Sequence, residues 1–153
     1  MVKGLKPTVL AFREVVAGVM KKAKYAEFND AYHLDRNPDT QLRAGWGIQI
    51  DGGSQGTGIE QCTTSFSRVL TVVISCEAQA RDSDVERRLL QELELFSRME
   101  ELVLAVKSEL TLGGLIYKNT FQGDTGRQEV FLENTPYYYI EVSFDVEYAL
   151  SNR

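Results

Sequence analysis

The sequence predicts a two-layer α+β domain in which a mostly antiparallel sheet of four or more strands packs against two helices. Two segments carry apolar residues at helical spacing, and at least four shorter segments alternate with the two-residue period of strands. No internal repeat and no linker divides the 153 residues. A chain of this length can bury one ordinary core, so we predict a single domain over residues 1–153.

The first predicted element is an amphipathic helix over about residues 7–22. Pro7 suits its first turn, and a group of lysines near its end suits the negative end of the helix dipole. Its apolar positions recur at spacings of three and four: Val9, Phe12, Val16 and Val19. The same segment contains Arg13 and Glu14 and is followed by no small-residue cleavage site, so we do not interpret it as a signal peptide. No stretch of about 18 apolar residues occurs elsewhere, so we expect no membrane span.

A polar stretch follows the helix, from residue 25 to 43. It contains the only histidine of the chain, His33, which we expect to be an ordinary surface residue. Alternation at residues 46–50 then predicts a half-buried strand. The segment "DGGSQGTG" at 51–58 lacks the Lys-Ser/Thr of a phosphate-binding loop, and a strand over 67–78 is predicted after it. We therefore interpret 51–58 as a loop between two strands.

A long helix is predicted over about residues 84–110. It begins at a capping box, Ser83 to Glu86, and should end before Gly113. Its main apolar stripe consists of Val85, Leu89, Leu93, Phe96, Val103, Val106 and Leu110. Leu102 lies alongside this stripe, and four further apolar residues widen it: Leu90, Leu95, Met99 and Leu104. One sheet face does not need so much apolar surface, so this helix should contact something else as well.

The last third predicts a hairpin and a closing strand. "LIYKNTF" at 115–121 is a strand with Leu115, Tyr117 and Phe121 on one face, "QGDTGRQ" at 122–128 is a polar turn, and "EVFLEN" at 129–134 continues the return strand or forms a bulge. The final strand follows Pro136. Its apolar face consists of Tyr138, Ile140, Val142, Phe144, Val146 and Tyr148, and its other face carries Glu141, Asp145 and Glu147.

These three carboxylates are the main chemical candidates of the chain. They are open to three interpretations: a solvated strand face, an electronegative surface used in assembly, or a site for a metal or acid–base catalysis. The third is the weakest, because no apolar pocket would raise one carboxyl pKa and His33 has no nucleophile-elbow partner. Cys62 and Cys76 are too few for a disulfide scaffold and have no zinc-ligand spacing. We expect no enzyme activity and no cofactor.

The order of elements resembles the tail terminator (tail completion, tail-to-head joining) proteins of long-tailed bacteriophages. The likeness is greatest in the C-terminal half. There "DSDVERRLLQELELFSRMEEL" resembles the long helix of that family, and "GGLIYKNTFQGDTGRQEVFLENTPYYYIEVSFDVEY" resembles its closing strands. "KPTVLAFREVVAGV" resembles the family as a helix in the corresponding place. The stretch between residues 25 and 45 corresponds to no element of the family.

The resemblance implies a structural virion protein that forms a homo-hexameric ring. Such a ring ends the tail tube at its head-proximal end and joins it to the head connector or stopper protein, with DNA passing through the lumen. The protein would be assembled in the host cytoplasm. The family supplies no catalytic residues. The alternatives are another neck protein, such as a head-completion or stopper subunit, and a small carboxylate-dependent hydrolase or metal-binding enzyme.

Two features of the residues agree with a ring that DNA crosses. The net charge of −5 offers no broad basic surface for phosphate, and an anionic strand face would repel phosphate. We therefore predict that Glu141, Asp145 and Glu147 face the lumen or a neighbouring subunit. We predict loop contacts with neighbouring rings at Gly53, Gln55, Gly56, Gly123, Asp124 and Arg127. Deletion of residues 123–126 should then impair joining and leave the monomer folded.

Overall fold

The computed structural model describes residues 3–28, 44–56, 64–78, 84–109, 111–132 and 135–150. It confirms the α+β class, with both predicted helices and a six-stranded, mostly antiparallel sheet. The elements in chain order are α1 (Leu5–Lys22), β1 (Ala26–Glu27), β2 (Ala44–Gln55), β3 (Thr64–Glu77), α2 (Val85–Ser108), β4 (Ile116–Asp124), β5 (Gln128–Leu132) and β6 (Thr135–Leu150). His33 and Cys62, and most of the polar stretch at 25–43, lie outside the described residues.

The closing strand β6 lies at the centre of the sheet. The strand order is β1-β2-β3-β6-β4, with β5 also paired to β6, and only β1 and β2 run parallel. One edge of β6 pairs with β3 over fourteen residues. Because β6 has neighbours on both sides, its alternating sequence decides what both faces of the sheet present.

The main core lies between one sheet face and the two helices. The whole predicted apolar face of β6 is buried there. The Phe144 ring packs edge-on against Phe12 of α1 at 5.6 Å and lies 5.7 Å from Phe121 of β4. In α1 the fully buried positions are Thr8, Phe12, Val16 and Met20, whereas Val9 and Val19 are only half-buried. Thr8 tolerates burial because its hydroxyl donates to the Gly4 carbonyl at 2.6 Å.

The buried side of α2 matches the predicted stripe only in part. The side chains that are completely buried are Leu95, Leu102 and Val106, which recur at seven and four positions. Of the predicted stripe, Val106 is buried and Phe96 and Val103 are partly buried against the core, whereas Val85, Leu89 and Leu93 are exposed. The predicted stripe joined positions from two flanks of the helix, since a run with leucine on several sides does not identify the buried side. The helix cap is Asp84, whose carboxylate accepts from the Arg87 amide at 3.1 Å.

The predicted turn at 122–128 is wrong. β4 extends to Asp124, and after residues 125–127 the chain continues as β5 along the same edge of β6. At the break, the Thr125 amide donates to the Glu141 carbonyl at 3.1 Å, and the Glu141 amide donates to the Thr125 hydroxyl. The hairpin therefore joins β5 to β6. On the predicted face of 115–121, Leu115 and Phe121 do pack against the core, but a register shift between Ile116 and Lys118 buries Ile116 and exposes Tyr117.

The predicted loop at 51–58 is also corrected. β2 continues to Gln55 and stays paired with β3, after a register shift between Ile50 and Gly53. Gly53 is needed there for close approach, because a Cβ at this position would lie 2.9 Å from the Ser67 carbonyl oxygen. The glycines of this segment therefore allow a bulge within a long hairpin strand.

Candidate functional site

The face of β2, β3 and β6 that points away from the helices carries the candidate carboxylates. We call it the outer sheet face and define it by Gln49, Asp51, Ser67, Thr71, Glu141, Ser143, Asp145 and Glu147. Among the described residues, both helices lie on the opposite side of the sheet. The outer sheet face therefore combines an acidic row on β6 with hydroxyl groups on β3 and β6.

The three predicted acidic residues lie on this face, but they are not equivalent. Glu141 and Asp145 are half-buried, whereas Glu147 is only 4% exposed. The Ser67 hydroxyl of β3 donates to Asp145 Oδ1, so that carboxylate is partly satisfied by its own sheet. Glu141 and Asp145 therefore supply the accessible negative charge of the row, and Glu147 contributes little surface.

Glu147 lies instead against a glycine that was predicted as an interface position. A Cβ on Gly56 would lie 2.8 Å from Glu147 Oε1 and 2.7 Å from the Ser65 hydroxyl. The Gly56 amide donates to the Ser65 carbonyl at 3.0 Å. The structure thus brings together Gly56 and Glu147, which are distant in sequence, and gives the glycine a packing role beside a buried carboxylate.

A second set of hydrogen bonds crosses three strands of the outer sheet face. The Thr71 hydroxyl donates to Asp51 Oδ2 at 2.5 Å and lies 3.0 Å from the Ser143 hydroxyl. On β2, Asp51 also offers its backbone carbonyl to the Arg68 guanidinium at 2.9 Å. These bonds connect β2, β3 and β6 through side chains as well as through the backbone. The carboxylate of Asp51 is consequently engaged in the sheet.

Arg127, the third predicted contact of the segment 122–127, clamps the helix layer to the sheet. Its guanidinium lies over the Tyr138 ring at 4.5 Å from the centroid. It also approaches Glu92 of α2 at 3.6 Å and Glu129 of β5 at 3.9 Å. Its neighbours Gly123 and Asp124 belong to β4, and Asp124 accepts from the Gly126 amide at 2.7 Å. This segment therefore stabilises the monomer, and deletion of residues 123–126 would shorten β4.

The reactive groups outside the acidic row are held in their neutral forms. Burial, aided by the charge of Glu94, raises the pKa of the Cys76 thiol to about 11. Burial likewise raises the pKa of Tyr25 to about 12, with smaller contributions from Cys76 and Glu94. A thiol with a raised pKa is a poor nucleophile at neutral pH. Within the described residues, no group of three or more His, Cys, Asp or Glu side chains is arranged to hold a metal ion.

Comparisons with known proteins leave the family open. Neither the models of protein families nor the curated proteins gave a match to this chain. In the part of the chain that the structure describes, neither helix is apolar enough over a sufficient length to span a membrane.

The helix α2 also carries an exposed apolar surface that the sequence pattern did not locate. Four residues in the first half of α2 are between 49% and 66% exposed, and we call them the α2 ridge: Val85, Leu89, Leu90 and Leu93. A groove of about 650 Å³ lies between the two helices, and we call it the interhelix groove; it is lined by Val15, Gly18, Val19, Lys22, Arg98, Glu101, Leu104 and Ala105. The excess of leucine over one helix face indicated a further contact but could not place it.

Proposed function

We propose that this protein is a structural subunit that assembles into a ring of the phage tail-terminator type, ending the tail tube and joining it to the head connector. The observation that supports this best is the one-sided architecture. The described helices cover one face of the sheet, and the other face presents Glu141 and Asp145. A ring with the outer sheet face inward would offer DNA a wall that repels phosphate and lets it slide.

The exposed apolar residues of α2 support assembly as well. Monomeric soluble proteins rarely expose contiguous apolar patches of more than a few hundred Å² without a partner. The α2 ridge lies in the helix layer, away from the acidic row on the other side of the sheet. Subunit contacts through the helix layer would therefore leave the outer sheet face available for the lumen.

The direct test is to incubate the purified protein with tail tubes of the phage that encodes it and to image the tube ends by negative stain. We expect a ring at one end of each tube. Absence of the protein from tube ends under all assembly conditions would refute the proposal. Binding to the head connector without the tube would support the alternative of another neck protein.

The lumen role of the acidic row is tested by the double variant Glu141→Lys/Asp145→Lys. We expect rings that still bind tube ends but particles that pass DNA poorly, because the wall then attracts phosphate. Glu147 is left unchanged, because it is only 4% exposed and contributes little to the surface of the row. The matched control is Glu14→Lys/Glu100→Lys, which makes the same change in net charge at exposed sites on α1 and α2. Normal ejection by the Glu141→Lys/Asp145→Lys particles would show that the row is only solvated.

A further inference from the structure

The α2 ridge is an ordered surface rather than a frayed helix end. Asp84 caps the helix just before the ridge, and Glu92, within its length, is held by the Arg127 clamp on Tyr138. Because the helix is already ordered, its leucine side chains can bind a partner without a large loss of backbone conformational entropy. The ridge is therefore preorganised for contact.

The ridge and the interhelix groove occupy successive stretches of the same helix, residues 85–93 and 98–105. Val85 and Leu89 precede Glu92 by seven and three positions, so they share the flank that faces Arg127 and β5. Arg98, Glu101 and Ala105 line the groove on the flank that faces α1. Because α2 is one continuous helix, the ridge of a copy cannot enter its own groove. Only a second molecule can bring the two surfaces together.

The two surfaces match in two respects, a space for side chains and one pair of opposite charges. The small residues Gly18 and Ala105 of the groove leave room for another helix to approach, and Leu104 is 72% exposed at its border. Of the charged groove residues, Arg98 and Glu101 form an ion pair with each other at 3.5 Å. Lys22 supplies a positive charge at the groove. Glu86 supplies a negative charge on the ridge, three, four and seven positions before Leu89, Leu90 and Leu93. Within the described part of the chain, neither Glu86 nor Lys22 forms an ion pair.

From these contacts we infer that the α2 ridge of one copy docks into the interhelix groove of the next copy, with Glu86 facing Lys22 across the contact. Two different surfaces on one subunit make a heterologous contact, which propagates head to tail and closes into a ring when the rotation allows. The inference rests on the proposed ring function and assigns the surfaces through which the ring is built.

The test uses two variants that each remove one surface. Leu89→Glu/Leu93→Glu places charges on the ridge, and Gly18→Glu/Leu104→Glu places them in the groove. All four sites are exposed, and a Cβ at Gly18 would meet nothing within 4 Å, so both variants should fold. Leu10→Glu on α1 is the matched control, since Leu10 is also half exposed but belongs to neither surface.

Light scattering and native mass spectrometry should show oligomers for the wild type and for Leu10→Glu. Each double variant should be monomeric, with association weakened about thirtyfold or more. A one-to-one mixture of the double variants should form a heterodimer and nothing larger, because one intact ridge and one intact groove remain. A monomeric wild type at its highest soluble concentration, or a mixture that stays monomeric, would overturn the inference.

The charge pair is tested by reversal. Glu86→Lys or Lys22→Glu alone should weaken association about fivefold at low salt, and the two together should restore it. Lack of restoration would remove Glu86 and Lys22 from the contact. Rings that form in both double variants would refute the ridge-and-groove contact and leave the proposed function intact. Head-to-tail oligomers that never bind tube ends would refute the proposed function and leave the ridge-and-groove contact intact.

Discussion

The two faces of β6 have nearly the same backbone environment and opposite chemistry. Toward the helices, Phe144 is completely buried between aromatic rings from α1 and β4. Toward the other side, its neighbour Asp145 is half-buried and accepts a hydrogen bond from Ser67. The first face stabilises the fold through apolar burial, and the second is free to present charge. A strand in the middle of a sheet can therefore separate stability from surface function by simple alternation.

The largest expected effect comes from the face toward the helices. Phe144→Ala should lower the free energy of unfolding by about 3–5 kcal/mol, because it removes a buried ring and leaves a cavity. Urea denaturation followed by circular dichroism measures the loss. Asp145→Asn is the neighbouring control and should cost about 1 kcal/mol or less, since it keeps an acceptor for the Ser67 hydroxyl. Equal losses of unfolding free energy for the two variants would show that the face toward the helices does not stabilise the fold more than the outer sheet face.

A smaller loss of stability is expected at Gly45, where the Phe28 ring covers one end of the sheet on the side away from the helices. Gly45 pairs with Ser75, and a Cβ on Gly45 would lie 2.6 Å from the Phe28 ring and 3.0 Å from the Ala26 carbonyl oxygen. Gly45→Ala should therefore cost about 1–3 kcal/mol through overpacking. The cost should shrink in a Phe28→Ala background, where only the backbone contact remains. An unchanged cost in that background would mean that Phe28 does not cover this end of the sheet.

The smallest expected effect is a pH dependence on the core side. Cys76 has a folded pKa of about 11 against an ordinary value of 9.0, so the unfolded chain loses its proton first as the pH rises. Stability from this group is fully present below about pH 9 and is lost between pH 9 and 11, by about 1 kcal/mol per pH unit or less. Unfolding of wild type and Cys76→Ser across this range measures the difference. Parallel curves would show that the thiol does not contribute.

Local patterns predicted most elements because they depend on near neighbours in the chain. The prediction for β6 was correct residue by residue, since strict alternation specifies both faces of a strand wherever the strand pairs. The helix at 7–22 was confirmed within two residues at its start. The predictions of a loop at 51–58 and a turn at 122–128 were wrong, because glycine and polar residues occur both in turns and in bulged strands.

The candidate site was predicted only in part. The sequence placed Glu141, Asp145 and Glu147 on one face, and the register of β6 with β3 agrees. It could not distinguish their exposure, because the burial of Glu147 depends on Gly56 and Ser65, which are more than eighty residues away. Nor could it assign Arg127 to Tyr138 and Glu92, since those contacts exist only after α2 packs over the sheet.

By itself, the sequence determined the α+β class, the two helices, the apolar and acidic faces of the last strand and the excess of leucine on α2. These are periodic properties, carried by residues within two to four positions of one another. The tertiary structure decided that β4 and β5 share one edge of β6, which flank of α2 is buried, and where on α2 the exposed ridge and the interhelix groove lie. Those outcomes depend on pairings between distant segments, which no local period encodes.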